Sequence, residues 1–402
     1  MSHRPSALFQ LVSEQTMPNV LAALALEPEH ITLLHTPRTA PQASWINHAL
    51  RLAGLQFEID LRALSASPDV NETGTRVRTA CEDALQAGLA PVVNITGGTK
   101  LMSIGAFAAT ISRDWPSIYV DTDNRRILQV GHHAPPELLR DGFAALSRAE
   151  AKLNVDVVAA AHGCEHVSSG EDPSPFVEFA EFLRMHPAEE LTCHSAFKGI
   201  HTRGKPAELL AVLDCPLPQL RPAVSDRALA AGLLESRGES LFLACPTRAT
   251  IERACQTGVD PADYFSATRP LQFAQAFFSG GWWEICVWHA ARQSGAFRDL
   301  RWSVRFGTET DHLEEDIVAI SGLNLAVFSC KRGGAGERLN RAFEEFVAAS
   351  NRLGGTFAAK YFCVAMVIKD AQFVAVRSEA ARLRVRLVNP ANRLTPSSFV
   401  ST

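Results

Sequence analysis

Short apolar runs alternate with helical patterns over the first 150 residues of the chain. SALFQLVSEQ, HITLLHT and APVVNIT predict strands, and SIYVDTD with RRILQVG predicts a closing hairpin. The helical patterns between them are MPNVLAALAL, APQASWINHALRLAGL, GTRVRTACEDALQAG and KLMSIGAFAATISR. Strands that alternate with helices indicate an α/β fold whose mainly parallel sheet is covered on both faces.

The rest of the chain divides into a less regular middle and a second α/β unit. In the middle, PSPFVEFAEFLRM predicts a helix and LFLACPT a strand, within a connecting region of uncertain fold. After it, WWEICVWHAARQ and ERLNRAFEEFVAASNRL predict helices, whereas EEDIVAI, LAVFSCK and AAKYFCVAMVI predict strands. We therefore expect domain boundaries at 1–150, 151–265 and 266–402.

A glycine-rich turn joins a strand to a helix between Thr96 and Lys100. It lacks the G-x-x-x-x-G-K-[ST] spacing of a triphosphate loop. Free N–H groups at a helix start, two glycines and a lysine nevertheless favour an anionic ligand at the carboxyl edge of the sheet. Loops after the first two strands add further polar residues, among them Thr36 and Arg38. The alternative is a tight turn with an exposed lysine.

Three charged residues stand out in the C-terminal unit. Glu284 lies on a predicted helix, Asp316 is expected to begin one strand of a hairpin, and Lys331 to end the other. Charges beside an apolar hairpin are costly unless they pair or bind metal. Metal-dependent phosphodiester cleavage uses such a set, in which a carboxylate holds the ion and a lysine stabilises charge. An ordinary Asp–Lys pair at a strand end is the alternative.

Composition narrows the classes of protein. The chain has 402 residues, 47% of them hydrophobic, and a formal charge of -4, which by itself does not indicate a nucleic-acid binder. Its nine cysteines are scattered, no cleavable leader is evident, and no apolar run reaches the roughly 18 residues of a membrane span. We expect a cytoplasmic protein with reduced cysteines and no membrane contact.

The two constellations occur together with several longer motifs in one order. These are LVSEQTMPNVLAAL, NITGGTKLMS, YVDTDNRRI, GGWWE, EEDIVAI, FSCKRG and RLGG. In this order they resemble the CRISPR ancillary nuclease family, in which a CRISPR-associated Rossmann-fold (CARF) domain is fused to a PD-(D/E)xK restriction-endonuclease-like domain. The resemblance covers residues 1 to about 135 and about 266 to 370.

The resemblance implies a type III CRISPR nuclease that works as a homodimer. Its paired CARF domains would bind a cyclic oligoadenylate, most simply cyclic tetra-adenylate, across the two-fold axis. The activated enzyme would cleave DNA, RNA or both. The ligand-binding residues implied are Gln15, Thr16, Thr36, Arg38, Thr96, Gly97, Gly98, Thr99 and Lys100.

The resemblance also implies the nuclease residues. Glu284, Asp316 and Lys331 match the family's catalytic positions, with Asp316 on a manganese or magnesium ion. This chain has Ser329 where the general motif has a carboxylate, as in the variant of this family. The backbone carbonyl of Cys330 is expected to be a further metal ligand that compensates for the missing carboxylate, and Glu314 is a candidate that a solvated surface role would equally explain.

Two other functions remain open from the residues alone. A non-catalytic sensor would bind the cyclic oligoadenylate and use its second domain only to bind nucleic acid or a regulatory partner. A dinucleotide-linked enzyme is disfavoured because the G-x-G-x-x-G fingerprint is missing. Whether the CARF domain cleaves its own ligand, and which nucleic acid is cut, are not decided by the sequence.

Overall fold

The protein is described here by a computed structural model, in which contacts group the chain into two compact units. The residues that the structure describes are 6–131, 142–307, 312–333, 336–355, 358–365, 370–388 and 394–399. Unit 1 comprises 1–169, 297–327 and 345–360, and unit 2 comprises 170–296, 328–344 and 361–402. The units interleave along the chain, whereas the domain boundaries predicted above are consecutive and stay a prediction.

Strands and helices alternate along most of the described chain. The strands are β1 (Ser6–Leu11), β2 (His30–His35), β3 (Glu58–Ala63), β4 (Ala90–Asn94), β5 (Ser117–Asp121), β6 (Arg126–Val130), β7 (His166–Ser168), β8 (Leu234–Arg237), β9 (Ser240–Leu243), β10 (Arg298–Gly307), β11 (His312–Ser321), β12 (Asn324–Lys331), β13 (Ala359–Val364) and β14 (Val385–Val388). The helices are α1 (Met17–Leu26), α2 (Ala40–Leu52), α3 (Val70–Gln86), α4 (Lys100–Ile111), α5 (Gly142–Lys152), α6 (Val155–Ala161), α7 (Val177–Met185), α8 (Pro187–Phe197), α9 (Pro206–Leu213), α10 (Pro222–Ala230), α11 (Arg248–Gln256), α12 (Pro261–Ala276), α13 (Trp282–Ser294), α14 (Gly336–Gly354) and α15 (Asp370–Arg382).

The first sheet has the order β3-β2-β1-β4-β5-β6 and is parallel except for the β5–β6 hairpin. The predicted parallel sheet and closing hairpin are confirmed. Its core joins Phe9 and Leu11 of β1 to Val77 of α3 and to Met102 and Ala106 of α4. Burial of these apolar side chains is the main favourable term in forming the unit. The sequence prediction missed β3, an edge strand whose side chains are largely exposed.

Helix α6 follows this sheet and also belongs to unit 1. At its start, the N–H of Val155 donates to Asp299 Oδ2 at 2.7 Å. The guanidinium of Arg301 donates to both carboxylate oxygens of Asp156, at 3.0 and 2.6 Å, and to both of Asp299, at 2.9 Å. Bidentate pairs of this kind fix direction as well as distance, so α6 is attached firmly to β10.

The second sheet has the order β14-β13-β12-β11-β10-β7. Strand β11 pairs antiparallel with β10 in a register that includes Gly307 opposite His312 and Arg305 opposite Glu314. The expectation that Asp316 begins a strand is therefore wrong: pairing with β10 starts the strand at His312, and Asp316 lies inside it. The expectation that Lys331 ends its strand is confirmed.

The middle of the chain contributes helices and one small hairpin. The predicted helix is present as α7, and the predicted strand is present as β9, which pairs antiparallel with β8. Helix α12 leads into a wide turn, Phe277–Gly281, where Gly280 has φ +140°. Only glycine adopts that conformation without strain, and α13 begins directly after the wide turn, at Trp282. Among the described residues, no helix is both long enough and apolar enough to cross a membrane.

Candidate functional site

Three loops meet at one edge of the first sheet. Strands β2, β1 and β4 are neighbours and run parallel, so the loops that follow them leave from the same edge. These loops are 12–16, 36–39 and 95–99, and they contain all the ligand-binding residues predicted from the sequence except Lys100, which begins α4. The structure therefore brings the predicted residues of this group together at the carboxyl ends of the strands, where α/β sheets bind ligands.

The glycine turn is pressed against the end of β1. A Cβ atom on Gly97 would lie 2.0 Å from the carbonyl oxygen of Leu11, so only glycine fits there. Gly98 has φ +77°, in the left-handed region that favours glycine. Thr99 then caps α4, accepting a hydrogen bond from the N–H of Met102 at 3.3 Å. The turn is thereby fixed with the helix N-terminus directed to the sheet edge.

A buried amide network lies behind this turn. Gln10, Asn19 and Asn94 are each 0% exposed. Asn94 Nδ2 donates to Gln10 Oε1 at 3.0 Å, and Asn19 Nδ2 donates to the Leu11 carbonyl at 3.1 Å. These hydrogen bonds tie β1 to β4 and to α1, although Gln10 Nε2 and Asn19 Oδ1 find no hydrogen-bond partner among the described residues. Sequence reasoning missed these residues, although Gln10 and Asn94 interrupt apolar strands and so carried a signal.

The hydroxyl groups of two predicted ligand residues form hydrogen bonds within the protein. Thr16 is buried, and its Oγ1 donates to the Ala161 carbonyl at the end of α6 at 2.5 Å. Thr96 Oγ1 donates to Asn94 Oδ1 at 2.6 Å and accepts from the N–H of Val120 at 2.7 Å. These hydroxyls hold the loops in place.

The remaining loop residues divide by exposure. Thr36 is buried, and its Oγ1 lies 3.2 Å from the hydroxyl of Thr39. Gln15, Arg38, Thr99 and Lys100 are exposed at the sheet edge, and Arg38 forms an ion pair with Glu14. The edge thus offers two cationic side chains next to the start of α4. A helix N-terminus with adjacent cations can hold phosphate groups.

The predicted carboxylates of the nuclease group lie on two elements. Glu284 is in the first turn of α13 and is half-buried. Asp316 is half-buried on β11, and Glu314 lies two residues before it on the same face of the strand. Glu314 is exposed, and its carboxylate accepts hydrogen bonds from Arg305 at 3.2 Å and Ser303 at 3.3 Å. An ion pair therefore already occupies the Glu314 carboxylate.

The end of β12 carries the other predicted residues. Ser329 and Cys330 are buried, and Lys331 is half-buried. The Lys331 carbonyl accepts a hydrogen bond from the N–H of Ala365 at 2.9 Å. Ser329 has a hydroxyl where the general motif has a carboxylate. The candidate oxygen ligand predicted at this strand end is the backbone carbonyl of Cys330.

Magnesium and manganese prefer oxygen ligands and readily keep bound water. Asp316 and the Cys330 carbonyl are both oxygen donors, which suits these ions. Within the described part of the chain, no three His, Cys, Asp or Glu side chains form a ready metal cluster. A carboxylate and a backbone carbonyl are oxygen donors of the kind that a hydrated hard cation uses.

Family models match both ends of the chain. The model of the Card1 CARF domain matches residues 7–137, and the model of the Card1-like endonuclease domain matches residues 272–394. The chain belongs to the CRISPR ancillary nuclease family. The two matched segments of this family member together span more than half of it, and each lies within one of the outer domains predicted above. It carries a CARF domain and an endonuclease domain.

Solved structures support the fold of this CRISPR ancillary nuclease. Can2 from Sulfobacillus thermosulfidooxidans, solved with cyclic tetra-adenylate, has a TM-score of 0.67 at 20% identity, over 97% of each chain. Protein VC1899 from Vibrio cholerae has a TM-score of 0.69 at 13% identity, over 98% of this chain and 96% of that one. A type III CRISPR defence DNA nuclease activated by cyclic oligoadenylate has a TM-score of 0.51 at 17% identity, over 90% of this chain and 46% of that one. The search of curated proteins gives no match.

Proposed function

We propose that this protein is a type III CRISPR nuclease that a cyclic oligoadenylate switches on. The observation that carries the proposal is the convergence of three loops, with Arg38 and Lys100 exposed at one sheet edge, in a chain that also has an endonuclease domain. Cyclic tetra-adenylate is the activator we favour, because Can2 was solved with it. Its phosphates suit the cations and the start of α4.

The predicted ligand residues take different parts in this proposal. Gln15, Arg38, Thr99 and Lys100 contact the ligand from the exposed rim. Gly97 and Gly98 let it approach the backbone. Thr16, Thr36 and Thr96 hold the loops through the buried hydroxyl contacts described above.

A homodimer is supported by an exposed apolar stripe on α4. Leu101, Ile104 and Ile111 are 52%, 54% and 39% exposed, and their spacing puts them on one face of the helix. The stripe begins next to Lys100, so it is continuous with the ligand loops. We assign it to a second copy of this chain, because a ring of repeated nucleotides offers the same groups to two identical sets of loops.

We assign the chemistry to Glu284, Asp316 and Lys331. Asp316 and the Cys330 carbonyl would hold a magnesium or manganese ion, and the Glu284 carboxylate would orient water. When bound, the ion lowers the pKa of water and neutralises charge on the phosphate. Lys331 donates a charged hydrogen bond to the scissile phosphate. The substrate is DNA, RNA or both.

The test is a cleavage assay on supercoiled plasmid and on single-stranded RNA. Each is incubated with magnesium or manganese, with and without cyclic tetra-adenylate. Asp316→Ala should abolish cleavage and keep ligand binding, whereas Glu314→Gln, two residues away on the same strand face, should keep most activity. Cleavage that requires both activator and metal would support the proposal, and the nucleic acid that is cut would identify the substrate.

The contrary outcome is tight binding of cyclic oligoadenylate without any cleavage. It would favour the non-catalytic sensor, and Ser329 would then explain the loss because it removes one carboxylate from the metal site. Cleavage that persists in Asp316→Ala would refute the assignment of the metal ligand.

A further inference from the structure

Arg332 directly follows Lys331 and ends in a bidentate ion pair. Its Nε donates to Glu190 Oε1 at 2.5 Å and its Nη2 to Glu190 Oε2 at 3.0 Å. Glu190 lies on α8 and is 5% exposed, and the side chain of Arg332 is 18% exposed. Two parallel hydrogen bonds to a buried carboxylate fix the guanidinium in direction as well as position.

The stem of the same arginine packs against the turn before α13. A Cβ atom on Gly280 would lie 3.3 Å from Arg332 Cβ and 3.6 Å from its Cδ. Gly280 belongs to Phe277–Gly281, after which α13 begins and carries Glu284 in its first turn. One side chain therefore contacts both α8 and the segment that leads into α13.

Helix α8 and the wide turn are themselves joined. Phe197 at the end of α8 stacks on Phe278, with ring centroids 3.8 Å apart. Helix α13 is held to β13 because Trp283 Nε1 donates to the Cys363 carbonyl at 3.0 Å. The surroundings of Arg332 are thus built from well-anchored elements of unit 2.

The charge of Arg332 is balanced inside the protein. His194 lies one turn after Glu190 on α8, and burial, followed by the charge of Arg332, lowers the pKa of its imidazole. The imidazole is therefore neutral at physiological pH, and Glu190 is the group that neutralises the guanidinium. The Nε and Nη2 groups of Arg332 are thus taken up by Glu190, in a pair whose carboxylate is buried.

We propose that Arg332 is a positioning residue, clamped by Glu190, that fixes the end of β12 and so the place of Lys331. This rests on the proposed role of Lys331 in cleavage. Arg332 itself does not contact the substrate. A catalytic lysine displaced by about an ångström can lose on the order of a hundredfold in rate, so the clamp has a kinetic consequence.

The test compares Glu190→Gln, Arg332→Lys and Arg332→Gln in the full-length protein with cyclic tetra-adenylate and metal. We expect kcat to fall by up to about a hundredfold with KM unchanged. Arg332→Lys should not restore kcat, because lysine lacks the planar guanidinium that forms two parallel hydrogen bonds. The double variant Glu190→Gln/Arg332→Gln should lose no more than either single variant. Arg221→Lys is the control and should keep kcat, because the exposed Arg221 pairs with Glu189 of α8 and contacts neither Arg332 nor Glu190 in the hydrogen bonds described above.

Hydrogen exchange over residues 327–333 gives a second measurement that needs no activity. Exchange should be faster in Glu190→Gln than in wild type, and unchanged in Arg221→Lys. If exchange is unchanged in Glu190→Gln, the clamp is refuted whether or not the protein cuts nucleic acid. If Arg332→Lys is active while Arg332→Gln raises KM, Arg332 binds phosphate instead. A wild type that never cleaves refutes the proposed function, while exchange still decides the clamp.

Discussion

Replacing Gly97 with alanine tests how tightly the glycine turn is built. The added Cβ would lie 2.0 Å from the Leu11 carbonyl oxygen, whereas ordinary contact begins at 3.4 Å. Strand β1 is paired on both sides, and its Leu11 carbonyl also accepts a hydrogen bond from Asn19. Moving the end of β1 away from the glycine turn would therefore break hydrogen bonds. A shift of more than an ångström is required, and we expect a loss of about 3 kcal/mol in the free energy of unfolding.

Gly88, just before β4, provides a matched control. It has φ +79° with nothing within 4 Å of an added Cβ, so Gly88→Ala meets backbone strain and no clash. That strain costs about 1 kcal/mol. The two substitutions thus add the same methyl group on either side of one strand, at a buried and crowded glycine in one case and at an exposed and uncrowded glycine in the other.

Thermal melting and calorimetric titration with cyclic tetra-adenylate measure the effect. At about 2–4 °C per kcal/mol, Gly97→Ala should lower the melting temperature by about 6–12 °C and Gly88→Ala by less than half as much. Gly97→Ala should also lose ligand binding, because the turn and the start of α4 move together. Equal melting temperatures for the two variants, with binding retained in both, would refute the reasoning.

Three further predictions concern other parts of unit 1 and one surface thiol of unit 2. Ile104→Glu on the apolar stripe should give a monomer in light scattering, whereas Leu85→Glu, similarly exposed on α3, should leave the mass unchanged; a dimeric Ile104→Glu protein would contradict the stripe as the interface. Arg301→Gln should lower the free energy of unfolding in urea by about 2 kcal/mol, because two partly exposed aspartates lose their shared partner, and an unchanged denaturation midpoint would refute this. Burial raises the pKa of the Cys164 thiol to about 11, so only about one Cys164 thiol in a thousand is ionised at pH 8. Iodoacetamide should therefore label the exposed Cys215 before Cys164. Equal labelling rates for the two cysteines would contradict the burial of Cys164.

Local pattern was sufficient to predict most elements of the first sheet. MPNVLAALAL predicts a helix, and the structure has α1 over the same residues, because proline suits a first turn and every residue from Val20 to Leu26 is apolar. Strand β3 could not be found in this way, since an edge strand buries few side chains and its sequence EIDLRA mixes charged and apolar residues. Asp316 was misplaced because the start of β11 depends on pairing with β10, which the local sequence does not display.

The sequence was sufficient to predict where the candidate ligand site lies, but not which hydrogen bonds its residues form. Two glycines and a lysine between a strand and a helix favour a ligand at the carboxyl edge of the sheet, whatever the position of that strand in the sheet. The direction of the Thr96 hydroxyl depends on Asn94 and on Val120 of the next strand, so it follows only from the folded chain. Likewise, Glu190 and Arg332 are 142 positions apart, and nothing local to either indicates their pairing.

Helix α6 determines where unit 1 could be cut into an independently folding fragment. The segment matched by the CARF model ends at residue 137, but the acceptor of the Thr16 hydroxyl is Ala161, at the end of α6. A fragment truncated at 137 would lack that acceptor and would expose the apolar surface that α6 covers. The start of α6 in turn depends on Asp299 and Arg301, far along the chain. The loops that we propose to bind the ligand are thus completed by residues that follow the family-matched first segment of the chain.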